Sequence, residues 1–242
     1  MQLHRGHAVK RIIASSLLIF SASYSFAAWD KGFNFRATSG FVTDGANTTY
    51  VLDTEAFPTV RNGVTFGWSS TTCIADQGGG GRDRDAGIDA RLAGMNFIGN
   101  RDERCTFKVT LPAAGTYIIT LGYGDAGGNT KNNYIVVLDS GTPVLTLSNV
   151  ATAATPTFGD AVGNTYNAAT WPGSQTTTSK TFATTTFDLM IGSGATPDGT
   201  DASITHLFIS QVGSSAFRGI LATPGSNSIR TTAGSNSLRT IP

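Results

Sequence analysis

Thr106-Phe107-Lys108-Val109-Thr110-Leu111, then Pro112 to Gly115, then Thr116-Tyr117-Ile118-Ile119-Thr120-Leu121-Gly122-Tyr123 is the stretch on which the fold turns. In the first run, Phe107, Val109 and Leu111 alternate with Lys108 and Thr110, the period of two expected of a strand with one buried face. The second run is rich in β-branched and aromatic residues, which suit a pleated, half-buried surface. Pro112 to Gly115 separates them as a turn. Downstream, Gly124 to Asn133 reads as a loop, Tyr134 to Asp139 as a strand, Ser140-Gly141 as a turn and Pro143 to Leu147 as another strand. The pattern predicts a run of antiparallel strands.

The same style extends both ways. Upstream, Phe33-Asn34-Phe35, Thr49-Tyr50-Val51-Leu52 and Val64-Thr65-Phe66-Gly67-Trp68 read as strands, the last after an Asn62-Gly63 turn signal. Downstream, Thr176 to Phe182, Thr185 to Ile191 and Ser203 to Ser210 read as strands, and no amphipathic helical window of convincing length occurs. The chain has 242 residues, 29 of them Gly, and only 14% are charged. Few charges and many turn formers suit a β-protein with short strands. The expectation is a single antiparallel β-sandwich of jelly-roll type over residues 30–212, long enough to bury a core without metals or many disulfides. A formal net charge of +1 argues against nucleic-acid binding and against a strongly acidic surface.

Residues 1–27 read as a secretory signal peptide. His4, Arg5, His7, Lys10 and Arg11 form a basic start, Ile12 to Phe20 an apolar stretch, and Ser25-Phe26-Ala27 a small-residue cleavage site. An uncleaved anchor is the alternative, but spanning takes ~20 mostly apolar residues and this stretch is short and Ser-rich. Cleavage removes Arg5, Lys10 and Arg11, leaving 14 basic against 16 acidic residues in a secreted, periplasmic or extracellular chain that does not span a membrane. In such a compartment the isolated pair Cys73 and Cys105 is read as a disulfide rather than as two buried thiols. Closing that loop is worth ~3–4 kcal/mol on the loop-entropy account. No zinc-ligand spacing surrounds either cysteine.

Two segments depart from the strand pattern. Residues 73–105, with Gly78 to Gly81, Arg82-Asp83-Arg84-Asp85 and Asp89 to Gly94, are expected to form a long surface loop, a common carrier of function. Residues 213–242 form a tail in which Pro224 to Thr232 is nearly repeated by Ala233 to Ile241. Two nine-residue units are too few for a solenoid. They read as a flexible tail, a hairpin on the sandwich, or an assembly peptide with two basic points.

Phe33-Asn34-Phe35, Phe66-Gly67-Trp68, Arg82-Asp83-Arg84, Asp89 to Gly94, Phe107 to Tyr117 and Leu121-Gly122-Tyr123-Gly124-Asp125 occur in one order. That order resembles the galactose-binding-like, malectin-like β-sandwich modules that accompany rhamnogalacturonan acetylesterases and pectin-acting lyases. The resemblance covers residues 33–210 and implies a jelly-roll fold and sugar binding, with no enzymatic activity. Three departures stand out: Asn34 replaces an Asp, Arg36 replaces a Gly, and the Cys73/Cys105 pair is additional. In the enzymes a hydrolase follows the module; here residues 213–242 read as a short tail, and no catalytic domain is expected from them.

The chemistry agrees. A Ser-His-Asp triad needs an imidazole, and after cleavage only His206 remains, in an expected strand and without a Gly-x-Ser-x-Gly elbow. Gly78 to Gly81 is followed by no Gly-Lys-Ser/Thr and reads as loop flexibility rather than a phosphate cradle. Asp83, Asp85, Asp89, Asp102 and Glu103 are interleaved with arginines, as in ion pairs pinning a loop, although composition leaves a two-carboxylate glycosidase or lyase open. Sugar sites combine flat aromatic faces with planar polar side chains. The candidates are Trp68, Asp83, Arg84, Tyr123, Asp125, Asn129 and Trp171. Trp171 precedes Pro172-Gly173 and is expected to be exposed, whereas Trp68 ends a strand and serves either ligand or core. Arg82-Asp83-Arg84 either grips a uronate or forms an internal clamp. Asp125 and Asn129 are either ligand contacts or turn residues. No cofactor is expected, apart from a structural calcium open to Asp44, Asn47, Asp53 and Asp139, which are hard oxygen donors without EF-hand spacing.

These readings favour a secreted binding module with carbohydrate as its partner. The alternatives are a self-associating structural subunit of a surface, filament or virion, and a carboxylate-dependent polysaccharide lyase or hydrolase. Exported in a secreting host, the chain is expected to begin at Ala28 or Trp29. An intact mass retaining Met1 to Ala27 would refute the cleavage site.

Overall fold

The computed structural model describes residues 29–39, 47–75, 80–84, 89, 91–98, 104–127, 131–151, 157–167, 169–171, 176–193, 201–213, 229–230 and 239–240. The expected signal peptide, Asp44 and Asn129 lie outside them, as does most of the tail. In chain order the elements are β1 (Asp30–Arg36), β2 (Thr48–Leu52), β3 (Thr59–Arg61), β4 (Val64–Trp68), α1 (Thr71–Ala75), β5 (Gly80–Asp83), β6 (Gly94–Ile98), β7 (Arg104–Thr110) and β8 (Gly115–Gly124). They continue with β9 (Lys131–Asp139), β10 (Thr142–Ala151), β11 (Thr157–Asp160), β12 (Thr165–Asn167), β13 (Thr178–Phe182), β14 (Thr186–Ser193), β15 (Ala202–Ile204), β16 (His206–Gln211), β17 (Ile229–Arg230) and β18 (Arg239–Thr240).

The architecture is an antiparallel β-sandwich. One large sheet runs β12-β11-β8-β16-β1-β2, with β13 sharing the β11 side of the long strand β8, and the other runs β10-β9-β14-β7-β4-β3. The pair β1–β2 is parallel, with Phe33 opposite Thr49 and Phe35 opposite Val51. The period-two pattern of β7 and β8 works as the sequence predicts: Cys105, Phe107 and Val109 are buried, as are Tyr117, Ile119, Leu121 and Tyr123, while Ile118 is exposed. Phe33 and Phe35 of one sheet meet Phe66, Trp68 and Phe107 of the other at ring separations of 5.1–5.7 Å. β7 and β8, however, are consecutive without being neighbours in one sheet. The Pro112–Gly115 turn carries the chain from one sheet to the other, fixed by the Tyr117 hydroxyl donating to the Ala113 carbonyl at 2.6 Å.

Both two-residue turn signals form hairpins. Asn62 and Gly63 take φ of 51° and 70° between β3 and β4, and Ser140 and Gly141 take 48° and 88° between β9 and β10. Positive φ at both positions matches the twist of the flanking strands. The expected single strand Ser203 to Ser210 divides at Thr205: β15 pairs with β6, while β16 pairs with β1 and β8. The two tail repeats meet as the short ladder β17–β18, with Arg230 opposite Arg239.

Residues 73–105 correct the sequence reading. They are not one long loop: α1 opens the segment, and β5 and β6 pair with β15 in a third sheet. The Cys73–Cys105 disulfide does form, with Cα atoms 5.7 Å apart, and ties α1 to β7. Gly80 and Gly81 supply close approach rather than loop flexibility. A Cβ on Gly81 would lie 2.5 Å from Ala37 Cα and from the Arg36 carbonyl. Gly94 does the same for Arg36. A Cβ on Gly94 would lie 2.3 Å from Arg36 Cδ and 2.6 Å from the Phe35 carbonyl. Burial lowers the basicity of the Arg36 guanidinium, against the opposing influence of Asp83. Gly94→Ala is therefore expected to destabilise the fold by about 1–3 kcal/mol, the usual cost of overpacking a filled site. Urea denaturation followed by tryptophan fluorescence measures it, and an unchanged midpoint would contradict this packing.

Candidate functional site

Arg84, Asp89 and Arg91 of the 73–105 segment meet the outer side of the larger sheet around a small second apolar cluster. Leu92, Phe158 and Trp171 are buried together, with Ala126 and Tyr166 packed against them. Phe158 comes from β11 and Tyr166 from β12, both at the β8 edge of the sheet. The Trp171 ring stands edge-on to Phe158, Tyr166 and His206 at 5.9, 5.6 and 5.8 Å. Aromatic pairs in this geometry contribute about 0.5–1.5 kcal/mol beyond the area they bury.

Two bidentate ion pairs border the cluster. Arg84 donates Nε to Asp125 Oδ1 and Nη2 to Asp125 Oδ2, both at 2.9 Å. Asp125 Oδ1 also accepts the Gly127 amide at 2.7 Å. The guanidinium lies so close over Gly127 that a Cβ there would fall 2.8 Å from Arg84 Cζ. The Asp125 side chain is 0% exposed and that of Arg84 25%. Arg91 forms the second pair, donating Nε to Asp89 Oδ1 at 2.9 Å and Nη2 to Asp89 Oδ2. The hydrogen bond from the Arg91 side chain holds the Asp89 carboxyl below its ordinary pKa. Side chains of this second pair are 17% and 25% exposed. Alongside, Asp160 accepts the amides of Val162 and Asn164, the Asn164 side-chain amide and the Tyr166 hydroxyl.

His206 lies beneath this patch, fully buried. Its Nδ1 is 3.0 Å from Thr205 Oγ1 and 3.3 Å from the Arg91 carbonyl oxygen. A carbonyl only accepts, so the contact places the proton on Nδ1. Burial, then the nearby Arg91 charge, lower its pKa to about 3. The imidazole is neutral and walled in by Trp171 and Phe208, with no exposed nitrogen for proton transfer.

The sequence-predicted residues divide unequally. Arg84, Asp125 and Trp171 come together at the patch. Trp171 is 8% exposed rather than open to solvent, because β11 and β12 supply rings that cover it. Trp68 and Tyr123 are core residues at 0% exposure, a correction to their candidacy: neither presents a face on which a sugar could stack. Trp68 packs on Phe35 and Phe107. Tyr123 lies across Gly159, its hydroxyl pKa raised by burial and by Asp160. Asp83 is exposed but occupied, accepting the Ala37 amide at 3.2 Å and the Thr38 hydroxyl at 2.6 Å. The Arg82-Asp83-Arg84 triplet thus braces two places, Asp83 holding the segment after β1 and Arg84 holding Asp125.

Of the calcium candidates, Asp53 accepts the Gly81 amide at 2.9 Å, and Asp139 accepts the Ala183 amide and the Thr184 hydroxyl. The Thr184 hydrogen bond lowers the Asp139 pKa. These two carboxylates serve different sheets, and among the described residues no three His, Cys, Asp or Glu side chains gather to hold a metal ion. No helix among the described residues is long and apolar enough to cross a membrane. Tyr166 and Phe158 escaped the sequence reading, whereas the Arg91–Asp89 pair is one of the loop-pinning ion pairs that the interleaved charges suggested. β11 and β12 are too short for a periodic signal.

No family model matches the chain, and no curated protein matches it in sequence. Among solved structures, the CBM36-1 domain of a multidomain xylanase from the hindgut metagenome of Trinervitermes trinervoides is 14% identical, with 62% of this chain and 98% of that one covered, at a TM-score of 0.33. A family 35 carbohydrate-binding module from Clostridium thermocellum is 14% identical over 55% and 87% of the two chains, at 0.32. The complex of the plant peptide RALF23 with FER and LLG2 contains a chain 11% identical, with 83% of this chain and 46% of that one covered, at 0.40. Likeness at this level carries no argument about the ligand of this chain.

His206 makes the site sensitive to acid. The unfolded chain protonates near the reference 6.5 and the folded chain not until about 3. Between those values the unfolded state binds more protons. Stability is therefore present in full above about pH 6.5 and falls by up to about 1.4 kcal/mol per pH unit below it. Denaturant titrations at neutral and mildly acidic pH are expected to show that loss in the native chain and a flatter response in His206→Gln. Equal slopes would contradict a neutral His206.

Proposed function

We propose that the protein is an exported, non-catalytic binding module and that its ligand is a carbohydrate, held over the patch between the two ion pairs. The observation carrying this reading is the juxtaposition of the half-buried Tyr166, backed by the buried Trp171, with the Arg84–Asp125 and Arg91–Asp89 pairs on one side of the sandwich. An aromatic surface suits the C–H face of a pyranose, and planar guanidinium and carboxylate groups held in place suit its hydroxyls. Pre-formed pairs need little reordering when a ligand arrives, which favours binding. The order of sequence motifs shared with the malectin-like modules supports the same reading.

The neutral, enclosed His206 supports the non-catalytic part. General acid–base chemistry needs a titrating group within reach of substrate, and this imidazole offers neither the pKa nor the access.

Glycan-array binding followed by affinity electrophoresis on pectic and galactan polymers tests the proposal. Tyr166→Ala is expected to weaken binding at least tenfold while leaving the circular dichroism spectrum close to native, with the urea midpoint lowered only by the loss of its Trp171 contact and Asp160 hydrogen bond. Binding to no glycan, or an unaltered affinity in Tyr166→Ala, would remove this site.

A further inference from the structure

We infer that the patch selects uncharged, hydroxyl-rich ligands and rejects uronates and other carboxylates; this rests on the carbohydrate reading above and narrows its ligand class.

The edge of a guanidinium that would receive a ligand carboxylate is already taken at both arginines. Arg84 spends Nε and Nη2 on Asp125, and Arg91 spends Nε and Nη2 on Asp89. A uronate could claim the Arg84 edge only by displacing Asp125. That carboxylate is fully buried and also holds the Gly127 amide, so displacement would take the opposite charge away from a carboxylate that stays inside the protein. What Arg84 keeps for a ligand is Nη1, which has no partner among the described residues. It offers hydrogen-bond donors suited to hydroxyl oxygens.

The charges around the patch point the same way. Each of these two guanidinium groups is matched by a carboxylate of the chain, and Asp160 places a further carboxylate at the Tyr166 hydroxyl. His206 below adds none while it is neutral. A ligand carboxylate arriving here meets a site whose positive charge is already matched from within, and like charge in a partly desolvated place opposes it.

The test is an array in which each neutral glycan is paired with its uronate counterpart, including polygalacturonan and its carboxyl-reduced form, which share linkage and differ in charge. The native chain is expected to favour the neutral member at least tenfold, with affinity for it nearly independent of salt. Asp125→Asn, and Asp89→Asn at the more exposed pair, are expected to narrow that preference by releasing a guanidinium edge, with the uronate binding gained falling as salt rises. Either variant suffices, so a failure of Asp125→Asn to fold leaves Asp89→Asn as the probe. Equal or tighter native binding of the uronate member would overturn the selectivity while leaving the carbohydrate reading standing. Absence of binding to every glycan would overturn both.

Discussion

Phe107 stands where the two large sheets meet. Its ring lies 5.1–6.0 Å from those of Phe33, Phe35, Phe66 and Trp68, so strands from both sheets converge on one side chain. Each sheet alone has an apolar face that water penalises, and burying one face against the other is the main driving force of such a fold. The rest of the structure follows from that contact. With the inner faces sealed, the outer side of the larger sheet is left to carry Asn34, Arg36, His206 and the segments that cover them. Polar and charged groups cluster there because the interior has no room or partners for them.

How much of this was legible in the sequence depends on how local the cause is. Phe107, Val109, Tyr117, Ile119 and Leu121 announce their strands by alternation, a property of a few adjacent residues. Asn62-Gly63 and Ser140-Gly141 announce their turns because few residue pairs accept positive φ at both positions. The order of short motifs carried the antiparallel sandwich as well. Glycine was misread where its purpose lay elsewhere in the chain. Gly81 and Gly94 look like loop residues, but they are small so that β5 and β6 can press against Arg36 and Ala37.

The site was legible in chemistry and not in placement. Arg84 and Asp125 were chosen for the right type of side chain, and the structure pairs them across 41 residues of sequence. Trp171 was expected in the open because Pro172-Gly173 follows it, yet its burial is decided by Phe158 and Tyr166, on strands of four and three residues that no periodicity could reveal. Trp68 and Tyr123 show the converse. An aromatic ring at the end of a strand looks alike in sequence whether it faces a ligand or the interior, and here both rings were claimed by the interior.

The disulfide has a consequence for how such a surface diversifies. Cys73 and Cys105 are 32 residues apart, and the span between them holds Arg84, Asp89, Arg91 and Leu92, while Asp125, Ala126, Phe158, Tyr166 and Trp171 belong to the opposite wall. The disulfide closes the span at both ends, and Ile74 and Ile98 root it in the main core. It behaves as a partly interchangeable cassette: its charged positions can be exchanged over generations, re-tuning what the outer surface prefers, while Ile74, Gly81, Gly94 and Ile98 stay committed to packing. Evolution can therefore vary recognition and foldability within this span at different positions of one stretch of sequence.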